Sequence, residues 1–155
     1  MRHASTEKGF GDPPGYRLDD CSTQRNLSAE GRDEARSVGE RIRRERVPIG
    51  RVYTSPWCRC RETARLAFGK SDDWEPLSSF FDFPDREPDY TDRVKKRIAN
   101  ISHRGVSGNT VMVTHNVNIA ALTKLSVAPA ELVVVRAEGC CGMRTLGRIL
   151  VRDQS

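Results

Sequence analysis

Arg2 and His3 stand side by side at the start of the chain, followed by Ala4, Ser5 and Thr6. A neutral imidazole can attack phosphorus, and a guanidinium fork can hold two phosphoryl oxygens at once. The pair is therefore a candidate anion site that carries its own nucleophile, although two adjacent residues recur by chance in many chains. Two distant positions could complete it. Arg59 lies just after Ser55-Pro56, where a strand gives way to a helix whose first-turn N–H groups and dipole favour an anion. His115 closes Thr110-Val111-Met112-Val113-Thr114, the clearest buried strand in the sequence, and leads with Asn116 into another helix.

These residues can meet only if the intervening elements bring them to one edge. Glu7 to Asn26 is rich in Gly, Pro and Asp and reads as a long loop. Ser28 is an N-cap for a helix running to Val47, with Ala35, Val38, Gly39 and Ile42 on one face and arginines on the other. Pro48 and Gly50 end it, Arg51 to Thr54 is a short strand, and Trp57 to Phe68 is a second helix stopped by Gly69. Asp72 to Asp89 is loop around the apolar stretch Leu77 to Phe83. Thr91 to His103 is a third helix, with His103 as a cap before Gly105. After the strand 110–114, Val117 to Leu125 is a fourth helix. Leu132 to Val135 and Arg144 to Val151 form two strands about a turn with Gly139 and Gly142. Strands alternating with helices predict an α/β fold, a three-layer sandwich whose mostly parallel sheet places ligands at the carboxyl ends of its strands.

The totals narrow the classes. With 155 residues, 37% hydrophobic and 30% charged, the chain suits one globular domain that needs no metal or disulfide staple. The formal charge of +5 suits an anionic partner. It does not indicate nucleic acid, because the arginines from 32 to 65 are interspersed with Glu34, Glu40, Glu45 and Glu62 and lack interleaved aromatics. No apolar run approaches a membrane span, and no leader opens the sequence, which as it stands reads as cytoplasmic. Five cysteines without a C-x-x-C pair argue against a disulfide framework and against a zinc ribbon, which leaves a zinc module using Cys58 and Cys60 as a remote alternative. In an oxidising compartment one disulfide, Cys21 to Cys58 or to Cys60, is open. Gly69-Lys70-Ser71 is not a P-loop, since Ala64 stands where the first glycine is needed.

Taken together, Arg2-His3-Ala4 with Thr6, Leu27-Ser28-x-x-Gly31, Ser55-Pro56-x-x-Arg59-x-x-x-Thr63-Ala64 and the strand ending in His115-Asn116 resemble the histidine phosphatase superfamily, with its phosphoglycerate-mutase-like fold. The stretch Asp20-Cys21-x-Thr23-Gln24-Arg25-Asn26-Leu27-Ser28, with Asn118-Ile119-x-Ala121-Leu122, is similar to a small bacterial subgroup of it. The resemblance implies a phosphatase that hydrolyses phosphomonoesters through a phosphohistidine on His3, with Arg2, Arg59 and His115 stabilising the transferring phosphoryl group. It implies no metal or other cofactor. Thr6, Asn116 and Asp82 are candidate contacts to the substrate, a small phosphorylated compound or a phosphoprotein. Hydrolysis is expected rather than mutase activity, since nothing in so short a chain builds a lid.

Two departures qualify this. The family commonly supplies a general acid in a Leu-x-Glu pattern, but here the stretch reads Leu77-Ser78-Ser79, so the expected replacements are Glu131, opening the run Leu132 to Val135, and Asp82, among Phe80, Phe81 and Phe83. The family also runs an apolar strand into the Arg-His pair, whereas only Met1 precedes Arg2, so the first strand reads as missing. A start further upstream would restore that strand and could carry a secretion signal, making the protein periplasmic or secreted. The alternative function is a catalytically impaired, phosphate-binding relative lacking the strand.

Overall fold

The computed structural model describes residues 1–103, 107–139 and 142–151, the side chains of 102 and 103 excepted. The His103 cap, Gly105 and the Cys140-Cys141 pair lie outside the described residues. Among the described residues, four α-helices and five strands follow one another as α1 (Ala29–Arg44), β1 (Ile49–Thr54), α2 (Cys58–Phe68), β2 (Asp72–Asp73), α3 (Glu87–His103), β3 (Asn109–Val113), α4 (Asn116–Thr123), β4 (Leu132–Glu138) and β5 (Gly142–Ile149). The main sheet is parallel, in the order β2-β1-β3, and β4 and β5 form an antiparallel ribbon.

Alternation along β1 and β3 separates two faces. Val52, Val111 and Val113 enter one core with Ala35 and Val38 of α1 and Cys60, Ala64 and Ala67 of α2. Tyr53, on the other face, lies under α3, where the Arg97 guanidinium lies over both its ring and that of Trp74, 4.7 Å and 4.0 Å from the two centroids. Helices thus flank the sheet on both sides. Among the described residues, no helix is long and apolar enough to cross a membrane.

Helix α1 begins where Ser28 predicts, the Ser28 hydroxyl accepting from Gly31 N–H at 3.0 Å. It stops at Arg44 rather than Val47, because Arg46 turns to φ 53° and Val47 N–H closes back on the Ile42 carbonyl. Gly31 is needed for packing: a Cβ there would stand 1.9 Å from the Ser5 carbonyl oxygen. Gly39 likewise lets α1 reach α2, where a Cβ would meet the Ala67 carbonyl at 2.3 Å. Helix α3 starts at Glu87, four residues before the expected Thr91. Pro88 is tolerated because the first turn has no use for its missing N–H, and Glu87 and Asp89 complement the helix dipole.

The opening residues are fitted between two elements. Thr114 N–H donates to the Met1 carbonyl and His3 N–H to the Thr114 carbonyl, both at 2.9 Å, so Arg2 pairs in parallel with Thr114 just past β3. On the other side Arg2 N–H donates to the Glu131 carbonyl and Ala130 N–H to the His3 carbonyl. The place at the strand ends that the Arg-His pair requires is thus set by a few main-chain bonds on either side.

Cys21 and Cys58 are joined by a disulfide that closes 37 residues, and Cys60 is a buried free thiol. The bond ties the 7–26 loop to the first residue of α2. By loop-closure entropy it contributes about 4 kcal/mol. Cys21→Ser, or reductant, is therefore expected to lower the urea midpoint by about 2 M, and an unchanged midpoint would contradict this.

Candidate active site

His3, Arg59 and His115 converge, although 56 residues separate each from the next. All three are nearly inaccessible, at 6%, 5% and 4% relative exposure. Each arrives by a distinct local device. His3 is held by the main-chain bonds above. Arg59 sits in the first turn of α2 behind Ser55-Pro56, and Thr63 one turn later accepts from Ala4 N–H at 3.1 Å while donating to the Arg59 carbonyl at 2.7 Å. His115 is the residue before α4, its carbonyl accepting from Ile119 N–H.

The two imidazoles stand edge to face, centroids 5.3 Å apart, with the Trp57 ring edge-on to His115 at 5.4 Å. His3 Nδ1 lies 2.8 Å from the Ala4 carbonyl oxygen. A carbonyl can only accept, so Nδ1 carries the proton and Nε2 keeps its lone pair. Burial pulls the His3 pKa down to about 3, opposed by the bond to Ala4 and aided by the positive charges of Arg59, Arg2 and Arg25. His115 is also held well below the usual histidine value, by burial first and then by His3, Arg59 and Arg2. Its Nε2 lies 2.9 Å from the Ser55 hydroxyl and 3.6 Å from the Cys60 sulfur. Burial pushes the Cys60 thiol up to about 12, which removes it as a nucleophile.

Both rings are therefore neutral and desolvated in the fold. Below pH 6.5 the unfolded chain takes up protons at these positions and the folded chain does not, so stability falls as pH falls from 6.5 towards 3. Urea midpoints between pH 7.5 and 5 are expected to decline, with a shallower decline in His3→Asn. An identical slope in the two proteins would refute the buried neutral assignment.

Three arginines surround this pair. Arg2 donates through Nη1 to the Val127 carbonyl at 2.7 Å, and Arg25 through Nη1 to the Gly9 carbonyl. Arg59 donates to Asp12 through both terminal nitrogens, at 2.7 Å and 3.0 Å. The Nε atoms of Arg2, Arg25 and Arg59 are all buried without an acceptor among the described residues. A buried N–H without an acceptor costs stability. Three of them, on three guanidinium groups whose charges act on one imidazole, suit an oxyanion held against that imidazole.

The remaining candidates are placed differently. Asn116 accepts from Val127 N–H and donates to Ser126, and so braces the segment whose Val127 carbonyl holds Arg2. Thr6 is held in an antiparallel bridge with Leu27. Asp82 is exposed. The buried Glu131 carboxylate is bound by Arg148 at 2.5 Å and 2.9 Å and by Ala128 N–H at 2.8 Å, which keeps it ionised below the usual range. This ion pair ties β5 to the start of β4. The expectation of Glu131 as a proton donor therefore gives way to a structural role. Ser79 accepts from Phe81 N–H. Among the described residues, no group of His, Cys, Asp and Glu is arranged to hold a metal ion.

Two participants were not singled out from the sequence for roles here. Arg25 lies within the stretch quoted above for its family likeness, so a signal existed. Asp12 sits in a Gly-Pro loop with no signal at all.

A neutral imidazole with an unprotonated Nε2, arginine donors and a second imidazole at the ends of parallel strands make a site suited to an oxyanion in an α/β fold. The chain belongs to the histidine phosphatase superfamily (branch 1), whose model matches residues 1–80. No curated protein is significantly similar to it in sequence. Among solved structures, the protein histidine phosphatase SixA complexed with tungstate is similar with a TM-score of 0.70 at 16% identity, over 97% of this chain and 94% of that one. Phosphoserine phosphatase from Entamoeba histolytica, in complex with 3-phosphoglyceric acid, has a TM-score of 0.65 at 12% identity, over 95% and 93%. YhfR from Bacillus stearothermophilus has a TM-score of 0.63 at 18% identity, over 94% and 92%. At these identities the likeness is one of fold.

Proposed function

We propose that the protein is a phosphatase that transfers a phosphoryl group to Nε2 of His3 and then to water. The observation that carries this reading is the set of three acceptor-free Nε–H donors, on Arg2, Arg25 and Arg59, around a neutral His3 whose tautomer leaves Nε2 unprotonated. In the first step Nε2 forms a bond to phosphorus as the bond to the leaving group breaks. Charge on the equatorial oxygens is met by the arginines and by His115. Water then attacks phosphorus on the far side from Nε2, the P–N bond breaks, and the histidine returns to its neutral form.

The carboxylates that touch these residues are engaged. Glu131 is held by Arg148, and Glu34 accepts from Ser5 N–H and Ser5 hydroxyl, both at 2.8 Å. Asp12 is bound to Arg59. Among the described residues no buried carboxylate at the site is left to donate a proton, and Asp82 lies exposed on its loop, so a leaving group departs with little help from a buried proton donor. This supports substrates whose leaving groups are stable as they depart: aryl phosphates as model compounds, or a phosphoryl group on a protonated imidazole, as in a phosphohistidine side chain. That class agrees with the name of SixA. The test is a series of aryl phosphates of graded leaving-group pKa. A steep fall in kcat/KM with rising pKa is expected, together with an acid-labile phosphoenzyme on rapid quench. A flat series would mean that a proton donor acts, and oxyanion binding without turnover would indicate a phosphate-binding relative instead.

A further inference from the structure

The long loop after the Arg-His pair places one buried carboxylate on a functional arginine. Asp12 Oδ1 accepts from Arg59 Nη1 at 2.7 Å and Oδ2 from Nη2 at 3.0 Å, and the two side chains are only 5% and 6% exposed. Asp12 is itself fixed by two more donors, Arg25 N–H at 3.0 Å and Trp57 Nε1–H at 3.2 Å. Its carboxylate therefore gathers groups from the loop, from the residue before α2 and from the first turn of α2. The Arg59 Nη1 is further bound to the Arg25 carbonyl at 3.4 Å.

The geometry of guanidinium decides what this leaves. Its five N–H groups lie in one plane and form two forks, one across the terminal nitrogens and one along the side, from Nε–H and the neighbouring Nη2–H. Asp12 takes the terminal fork end-on. The Arg59 Nε is the donor that stays buried without an acceptor among the described residues. Burial alone would raise the Asp12 carboxyl, but the bonds and charge of Arg59, with the bonds from Arg25 and Trp57, together hold it below the usual range, so the anchor stays charged at neutral pH.

We propose that Asp12 is a positioning residue that occupies the terminal fork of Arg59 so that its side fork is the one presented to a phosphoryl oxygen pair. The same carboxylate, through the Arg25 main chain, sets where the third arginine leaves the loop. The inference rests on Arg59 acting as a phosphoryl ligand, as in the function proposed above. Asp12 is not the proton donor, since a carboxylate receiving four hydrogen bonds has no proton to give.

The test measures binding of vanadate and inorganic phosphate by isothermal titration to the wild type, Asp12→Asn, Asp12→Ala, Arg59→Ala and the Asp12→Ala/Arg59→Ala double variant, with circular dichroism reporting the fold. Loss of an oriented charge-assisted pair is expected to weaken vanadate binding about tenfold to a hundredfold in Asp12→Ala. Asn keeps one acceptor but brings an NH2 against the guanidinium, so Asp12→Asn is expected to show a smaller loss without a cavity. In the Arg59→Ala background the effect of removing Asp12 is expected to shrink to the part carried by the Arg25 main chain, well below its size in the wild type. A merely structural Asp12 would give additive losses, which would overturn the inference. Unchanged affinity in both Asp12 single variants would also overturn it. Tighter binding would do so too, because Asp12 would then be a competing anion on the clamp. If the wild type binds no oxyanion, the phosphatase reading fails, and that outcome is distinct from wild-type binding that ignores Asp12.

Discussion

His3→Ala is expected to reduce hydrolysis of p-nitrophenyl phosphate by about 10⁴-fold or more, since removing a covalent nucleophile leaves only binding and electrostatic assistance. The assay is run in EDTA, and wild-type turnover should survive it. The phosphoenzyme seen on acid quench should disappear with the imidazole. Because His3 is buried between β3 and β4, truncation also leaves a cavity, so His3→Asn serves as a second variant of closer shape. Either variant should still bind vanadate if it keeps its fold, because the arginine donors remain. Turnover within tenfold of wild type in a folded His3→Asn protein would place the nucleophile elsewhere.

The second large effect is at Arg59. Arg59→Ala should lower kcat/KM by about 10²- to 10³-fold, the scale set by loss of a donor to developing charge. Lysine should restore little, because an ammonium is a point charge without the two forks that reach Asp12 and the phosphoryl group together. Stability should move as well. Without the guanidinium, Asp12 is a buried carboxylate left with two neutral donors, and breaking a buried ion pair in this way costs about 3–5 kcal/mol. Removing both charges, in Asp12→Ala/Arg59→Ala, should recover part of that stability and none of the activity. Urea denaturation and steady-state kinetics on the same three proteins separate the two losses. An Arg59→Ala protein with wild-type kcat/KM would remove Arg59 from the site.

The placement of Arg59 and His115 was legible because its signals are local, whereas that of Arg2 and His3 rests on main-chain bonds to residues more than 100 positions away. Ser-Pro before a helix start, an apolar β-branched run ending in His-Asn, and Ser28 three residues before Gly31 each report main-chain geometry within a few residues. Helix limits were legible less well where long-range or left-handed geometry intervened, as at Arg46 after α1. The start of α3 was misplaced because Pro84, Pro88 and the acids around them read equally well as loop.

The partnership of carboxylates could not be read in this way. Glu131 opens an apolar run and looks available, yet Arg148, distant in sequence and adjacent in the β4–β5 ribbon, neutralises it. Asp12 lies 47 residues from Arg59 with no periodicity to connect them. Each pairing depends on which segments the fold lays side by side, and ion-pair energy acts over ångströms of space regardless of chain separation.

By itself, then, the order of residues determined the class of chemistry and the elements that carry it: an Arg-His pair, a helix-start arginine and a strand-end histidine in an α/β pattern. Only the tertiary structure decided the protonation and the orientation. Burial makes His3 and His115 neutral, the Ala4 carbonyl leaves Nε2 of His3 free, and the 7–26 loop turns the Arg59 guanidinium by its end. Desolvation and hydrogen-bond direction belong to the packed interior, which no local stretch of sequence contains.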